Sequence, residues 1–295
     1  MINFLGLSDR TSGLIRGKQI SSKIENSEFF NSHESKVGKN QFSIMIRNHI
    51  PGIAELNKKN NKIIGYDILD MPVGDAFFRG AKDIQLKNYC HDVYDFFIVN
   101  NDLCKSELEQ FIKKPIFVIP HHTTNTDYKK INLNKKVTKI GYVGLPEQLS
   151  QADKIINFCK EKNIDFVNVS PSTREKCDEI FMSLDIGLIF LDESSHSSTV
   201  IEAIKKYKPN TKLSNFQSYG IPTISIPYES FDQFGYNAYI KIQNIDELIE
   251  NLNILIDDVD QRKFLSDSSY EVAKRFHIDE IVKLYKNIAN DHRLL

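Results

Sequence analysis

The sequence predicts an α/β protein made of two doubly wound domains, each built on a parallel sheet. Three observations carry this. Short apolar runs rich in β-branched and aromatic residues alternate with amphipathic stretches of helical period. Several of those runs are continuously apolar rather than alternating, as strands covered on both faces must be. A polar, lysine-rich stretch at 121–137, "HHTTNTDYKKINLNKK" and its neighbour, interrupts the pattern, after which strand, glycine turn and helix begin again at Lys139.

In order, the first half predicts strands at 3–7, 42–47, 62–68, 94–100 and 115–120, with a helix over "DLCKSELEQFI". The stretch 121–137 reads as a linker. The second half predicts strands at 138–144, 165–170, 185–191, 222–227 and 238–242, with a helix over "QADKIINFCKEKN". From Ile245 to Leu295 there is no strand pattern. "IDELIENLNILIDD" places Ile245, Leu248, Ile249, Leu252 and Leu255 on one helical face. The last helix, "DEIVKLYKNIANDH", either packs in the second domain or crosses back to the first. The expected organisation is therefore a domain over 1–130, a second over 137–275, and a C-terminal helix in 276–295.

Composition excludes several classes. Of 295 residues, 41% are hydrophobic and 26% charged, enough for a sizeable core, and the net charge of -1 leaves no footprint for nucleic acid. Lysine pairs at 58–59, 129–130, 135–136 and 205–206 read as solvated helix ends and loops, or as weak attraction to an anionic membrane face. Four cysteines without C-x-x-C spacing argue against a zinc site or disulfide framework and suit a reducing cytosol. The first residues turn polar too soon for a signal peptide, and no apolar run approaches the roughly 18 residues that span a bilayer. The expected location is cytoplasmic, with peripheral membrane association as the extension of it.

The most informative stretch is 208–227, "KPNTKLSNFQSYGIPTISIP". Pro209 keeps Lys208 out of helical geometry, and Asn210 or Thr211 would cap the helix that follows. Leu213, Phe216 and Gln217 fall near one face. Gly220 supplies a left-handed C-cap, and Ile221-Pro222 lead into a buried strand. Lys212 sits in the first turn, where it opposes the helix dipole. A cation there is well placed if an anion lies between it and the first-turn amides, as a nucleotide diphosphate would. A solvated lysine on a linking helix is the plain alternative.

This stretch resembles the K-P-x-T-K-L…G-I/V-P segment late in the C-terminal domain of GT-B glycosyltransferases, particularly those similar to the large retaining family 4. "TKIGYVGLPEQL" looks like the first strand and glycine turn of that domain, and "SDRTSGLIRGKQIS" is similar to the loop and first helix of the N-terminal one. The resemblance implies two Rossmann-like domains facing across a cleft, with a sugar nucleotide held mostly by the second. It implies that Lys212, with the amides of Thr211 and Leu213, holds a donor phosphate, and that neither a metal nor another cofactor is needed. Two features depart from family 4. Its paired glutamates have seven residues between them, whereas Glu193 and Glu202 have eight, and the lysine-glycine pair downstream of the glycine turn is missing.

Further candidates sit at strand ends or loops, where such folds bind ligands. Gly144 at the end of the 138–144 strand would let a diphosphate approach closely, or is a plain turn glycine. Glu193, Ser195 and His196 follow the 185–191 strand and would contact the donor sugar. Ser12 and Gly13 would form a close-approach loop, and Arg16 would reach a phosphate or an acidic acceptor; an ordinary surface arginine is as good a reading. Gly13 and Gly17 do not make a dinucleotide fingerprint, because G-x-G-x-x-G is absent. His49 follows one strand, and Asp67 and Asp70 end another; Asp70, or less readily His49, would position or deprotonate an acceptor hydroxyl. Of His121 and His122, at most one would face a ligand.

The functional expectation is a transferase that moves a sugar from a nucleotide-sugar donor to a hydroxyl of a glycan or lipid-linked acceptor. Two alternatives share the fold: a non-catalytic binding or partner subunit, and a sugar-nucleotide epimerase.

Overall fold

Continuously apolar strands need cover on both faces, and the computed structural model supplies it. It describes residues 2–6, 13–31, 42–47, 58–59, 63–69, 92–110, 112–170, 173–191, 207–234 and 238–291. Among these, six strands form one sheet: β1 (Asn3–Gly6), β2 (Glu28–Asn31), β3 (Phe42–Ile46), β4 (Ile63–Leu69), β5 (Phe96–Val99) and β6 (Ile116–Val118). Their order is β2-β1-β3-β4-β5-β6, and each pairing is parallel. Five more form a second parallel sheet: β7 (Lys139–Val143), β8 (Asp165–Val169), β9 (Ile186–Ile189), β10 (Thr223–Ser225) and β11 (Ile240–Lys241), in the order β11-β10-β9-β7-β8.

The chain divides into two units, one of 1–121, 202–209 and 278–295, the other of 122–201 and 210–277. In the first, the strand period of two sorts residues between the sheet faces. Phe4, Ile44, Ile46, Phe96 and Ile98 go to one face. Met45, Ile64, Tyr66, Ile68, Phe97 and Val99 go to the other. The first face is covered by Ile20 and Ile24 and by the last helix (Ile278–Ala289), through Ile278, Ile281, Val282, Tyr285 and Ile288. The second is covered by Cys104 and Leu108 of helix Asp102–Leu108, with Ile112 and Tyr207. Asn101 caps that helix by accepting from the Cys104 amide at 2.8 Å.

One strand is absent from the sequence reading. β2 is short, lies at the sheet edge and is largely part-exposed, so only Phe29 and Phe30 signal it. Its Phe29 ring also accounts for the glycines at 6 and 17. A Cβ on Gly17 would sit 2.4 Å from that ring, and one on Gly6 2.9 Å from it. Gly17 is therefore required by packing.

The stretch 122–137 belongs to the second unit and is tied down along its length. The Thr123 amide donates to Phe276 O at 2.9 Å, and the Ile131 amide to Tyr219 O at 2.9 Å. Asn125 Nδ2 donates to Ser218 O and Lys129 O, each at 2.6 Å. Asp185 receives the Thr138 and Lys139 amides at 2.8 and 2.9 Å, and Asn134 Nδ2 at 2.7 Å. The polarity that reads as a linker is used to satisfy backbone groups of an irregular strap laid along the unit.

In the same unit, helix Ile245–Asp257 buries Ile245, Leu248, Leu252 and Leu255, while Ile249 is only half-buried. Arg262, in helix Val259–Ala273, is 1% exposed and binds four carbonyls. Two, Leu255 and Ile256, close the end of the preceding helix; the others, Asn134 and Lys135, belong to the strap.

Candidate functional site

The second sheet has its switch point between β7 and β9. From β7 the chain moves outward to β8, then returns to β9 and continues to β10 and β11 on the other side. Ligands of open α/β sheets bind beyond the carboxyl ends of the strands at such a point. Gly144 immediately follows β7, so it lies there, its amide donating to Val169 O at 2.9 Å.

The helix Thr211–Ser218 packs on this sheet through Leu213 and Phe216, 0% and 1% exposed. Its C-terminus closes as the sequence predicts. Gly220 has φ +70°, the Gly220 amide donates to Gln217 O at 2.9 Å, and the Ile221 amide to Phe216 O at 3.0 Å, the paired bonds of a Schellman cap. Its N-terminus does not. Asn210 occupies the N-cap position, but its side chain makes no capping bond. The first bond of the helix runs from the Ser214 amide to Asn210 O at 2.9 Å. The amides of Thr211, Lys212 and Leu213 precede it and lie at the positive end of the helix. The Asn210 amide group is 1% exposed, and neither its oxygen nor its nitrogen has a partner among the described residues.

Lys212 folds back from this first turn onto β7. Its ammonium lies 4.9 Å from the centre of the Tyr142 ring, a cation–π contact, and has no carboxylate partner among the described residues. A Cβ on Gly144 would fall 2.1 Å from Lys212 Nζ and 2.7 Å from Tyr142 Oη. Glycine is what leaves room for the ammonium at this point. Burial pulls the Lys212 ammonium down to about 8 from its ordinary 10.5. Burial first, with the Glu147 carboxylate second, pushes the Tyr142 phenol up to about 12. A half-buried cation without a carboxylate partner among the described residues, amides without intrahelical acceptors and a glycine beside the cation form an arrangement that an oxyanion would complete.

The other predicted residues are distributed as follows. Lys212, Thr211, Leu213 and Gly144 come together, with Leu213 offering only its amide because its side chain is in the core. Gly13 is buried and opens the π-helical turn Gly13–Lys18 that runs into Gln19–Ser21. Arg16, expected to reach a phosphate or an acidic acceptor, is 1% exposed and committed elsewhere. Its Nε donates to Asp67 Oδ2 at 2.9 Å, its Nη2 pairs with the same oxygen at 2.8 Å, and its Nη1 donates to the carbonyls of Ile119 and Pro120 at 2.7 and 2.9 Å. Tyr285 Oη adds a bond to Asp67 Oδ2 at 3.1 Å, and burial raises this phenol well above its ordinary range. Arg16 and Asp67 thus neutralise one another inside the first unit. His121 and His122 are both buried, and His122 Nδ1 lies 2.8 Å from Thr123 O. Ser12, His49, Asp70, Glu193, Ser195 and His196 lie outside the described residues.

Two residues at the site were not singled out from sequence, Tyr142 and Asn210. The signal for Tyr142 was available in "IGYVG": the strand period places residue 142 on the same face as Gly144. Asn210 carried only a capping signal, and the structure leaves that cap unmade. Among the described residues no group of three or more His, Cys, Asp or Glu side chains converges, and no helix is long and apolar enough to cross a membrane.

No protein-family model matches the chain, and no curated protein matches it in sequence. Solved structures do match its fold. The sucrose-phosphate synthase from Thermosynechococcus elongatus superposes with a TM-score of 0.60 at 9% identity, covering 98% of both chains. Anabaena Alr3699/HepE in complex with UDP gives 0.64 at 10% identity, covering 98% of this chain and 99% of that one. The trehalose-6-phosphate synthase OtsA gives 0.56 at 12% identity over 86% and 73%. In fold, this chain is a parallel-sheet α/β protein with the two-sheet architecture of the GT-B glycosyltransferases.

Proposed function

We propose that the chain is a glycosyltransferase that takes a sugar from a nucleotide-sugar donor and binds the donor diphosphate at Lys212 and the first-turn amides of the helix Thr211–Ser218. The observation that carries this reading is the Lys212 ammonium, desolvated, without a carboxylate partner among the described residues, and placed beside Gly144 at the switch point of the second sheet. The fold supports it: HepE, one of the structures of similar fold, has been solved with UDP, with UDP-glucose, and with UDP and glucose.

The chemistry follows from the charges. When the bond between the anomeric carbon and the diphosphate oxygen breaks, negative charge grows on the leaving diphosphate. An ammonium and a helix N-terminus aimed at that charge stabilise it more than they stabilise the intact donor, which is what accelerates transfer. In this reading those groups neutralise the leaving group without a metal. Removing one such preorganised donor reduces kcat by roughly 10²–10³. On the acceptor side, Asp70 or His49 would orient or deprotonate the attacking hydroxyl of a glycan or lipid-linked acceptor. Glu193, Ser195 and His196 would face the donor sugar.

The test begins with a thermal-shift screen against UDP, GDP, CMP and ADP. A panel of sugar nucleotides follows, read by NMR and by chromatography of the released nucleotide. Transfer or donor hydrolysis is the expected result. A new sugar isomer would mark an epimerase, and binding without turnover a partner subunit; either would overturn the transferase reading.

A further inference from the structure

Tyr142 is a choice that packing does not explain. Its side chain is fully buried in β7, yet its hydroxyl has no hydrogen-bond partner among the described residues. A phenylalanine would fill the same space without leaving a buried donor unmatched, so the core by itself favours Phe here. The hydroxyl is not randomly placed. It sits 2.7 Å from the point a Gly144 Cβ would occupy, and Lys212 Nζ sits 2.1 Å from that same point. Among the described residues, an ammonium without a carboxylate partner and a hydroxyl without an acceptor therefore converge on the space that the missing side chain of Gly144 leaves to them.

We propose that Tyr142 is a second ligand for the anion bound by Lys212, its hydroxyl donating a hydrogen bond to a phosphate oxygen of a nucleoside diphosphate. This rests on the reading of the site as a donor-phosphate site. The two groups divide the work. Lys212 supplies the charge. Tyr142 supplies a neutral donor that stays protonated, since burial and the Glu147 carboxylate hold its phenol near 12. In the unliganded arrangement the lysine rests on the Tyr142 ring face. An arriving oxyanion draws the ammonium off that face and uncovers the hydroxyl, so that both polar atoms gain acceptors together.

The experiment is isothermal titration calorimetry on the full chain at pH 7, with wild type, Tyr142→Phe and Lys212→Met. The ligands are inorganic pyrophosphate and whichever of UDP, GDP and ADP binds best. Tyr142→Phe keeps the ring beneath the ammonium and removes only the oxygen. It is expected to weaken both ligands roughly tenfold while the unliganded melting temperature stays level or rises. Unchanged affinities in Tyr142→Phe, beside a loss in Lys212→Met, would overturn the role of Tyr142 and leave the donor site standing. A Tyr142→Phe protein that melts well below wild type would make the hydroxyl a structural group and also overturn it. Wild type that binds none of these ligands would overturn the donor-site reading and this inference with it.

Discussion

Lys212→Met should make the unliganded protein more stable and the liganded one much weaker. The substitution keeps a flexible side chain of similar length over Tyr142 and removes the ammonium. The magnitude comes from the shift of that ammonium from 10.5 to about 8, caused by burial. At about 1.4 kcal/mol for each pH unit, the charged lysine costs the folded state up to about 3 kcal/mol, less whatever residual solvent contact screens. The sign follows from linkage. Below pH 8 both states carry the proton and the penalty is complete. Between about 8 and 10.5 the folded state has released its proton while the unfolded state has not, so stability rises with pH across that window. Lys212→Met removes this rise and should gain roughly 1–3 kcal/mol at pH 7. For a unit of this size that is an increase of roughly 2–10 °C in the melting transition. Differential scanning calorimetry at pH 7 and pH 10 reads both effects. The same variant should lose at least a hundredfold in diphosphate affinity, because the charge it lacks is the one the anion meets. A variant that melts lower than wild type at pH 7 and binds nucleotide equally well would refute the reasoning at both steps.

Three further outcomes follow from the same structure. Diphosphate affinity should be level below pH 8 and fall toward tenfold per unit above it, as free Lys212 gives up its proton; Lys212→Arg should flatten that profile in calorimetric titrations. Arg16→Met should destabilise by about 3–5 kcal/mol in urea unfolding, because it leaves the Asp67 carboxylate buried without a counter-charge, and the double variant Arg16→Met/Asp67→Leu should recover much of the loss. Arg262→Met should cost about 2–4 kcal/mol by circular-dichroism melting, since it frees four carbonyls at a helix end and along the 122–137 strap.

The legible part of the fold was the part governed by near neighbours in the chain. Strands such as β5 and β9 are uninterrupted apolar runs, and β5 is covered on both faces, through Phe96 and Ile98 on one and Phe97 and Val99 on the other. The helix Thr211–Ser218 ends where Gly220 and Pro222 require it to. The edge strand β2 was not legible, because an edge needs little apolar sequence. Nor was the stretch after His122, because polar residues that satisfy a strap look like polar residues in solvent. Within the candidate site, Lys212 and Gly144 could be singled out by their places in a helix first turn and at a strand end. Arg16 could not be sorted between surface and interior, since its partner Asp67 is 51 residues away and the carbonyls it binds more than 100. Tyr142 is marked in the sequence only by sharing a strand face with Gly144; that its hydroxyl is unmatched shows only in the fold, where it meets no acceptor among the described residues.

By itself, then, the sequence determined the α/β class, the two runs of strands and the helix that carries Lys212, because period, caps and glycine placement act over a few residues. Only the tertiary structure decided that Arg16 is neutralised internally, that the last helix covers the first sheet, and that Lys212, Tyr142 and Gly144 meet at one point. Those outcomes depend on desolvation and on which distant groups share the same space, and neither quantity is written in a local pattern.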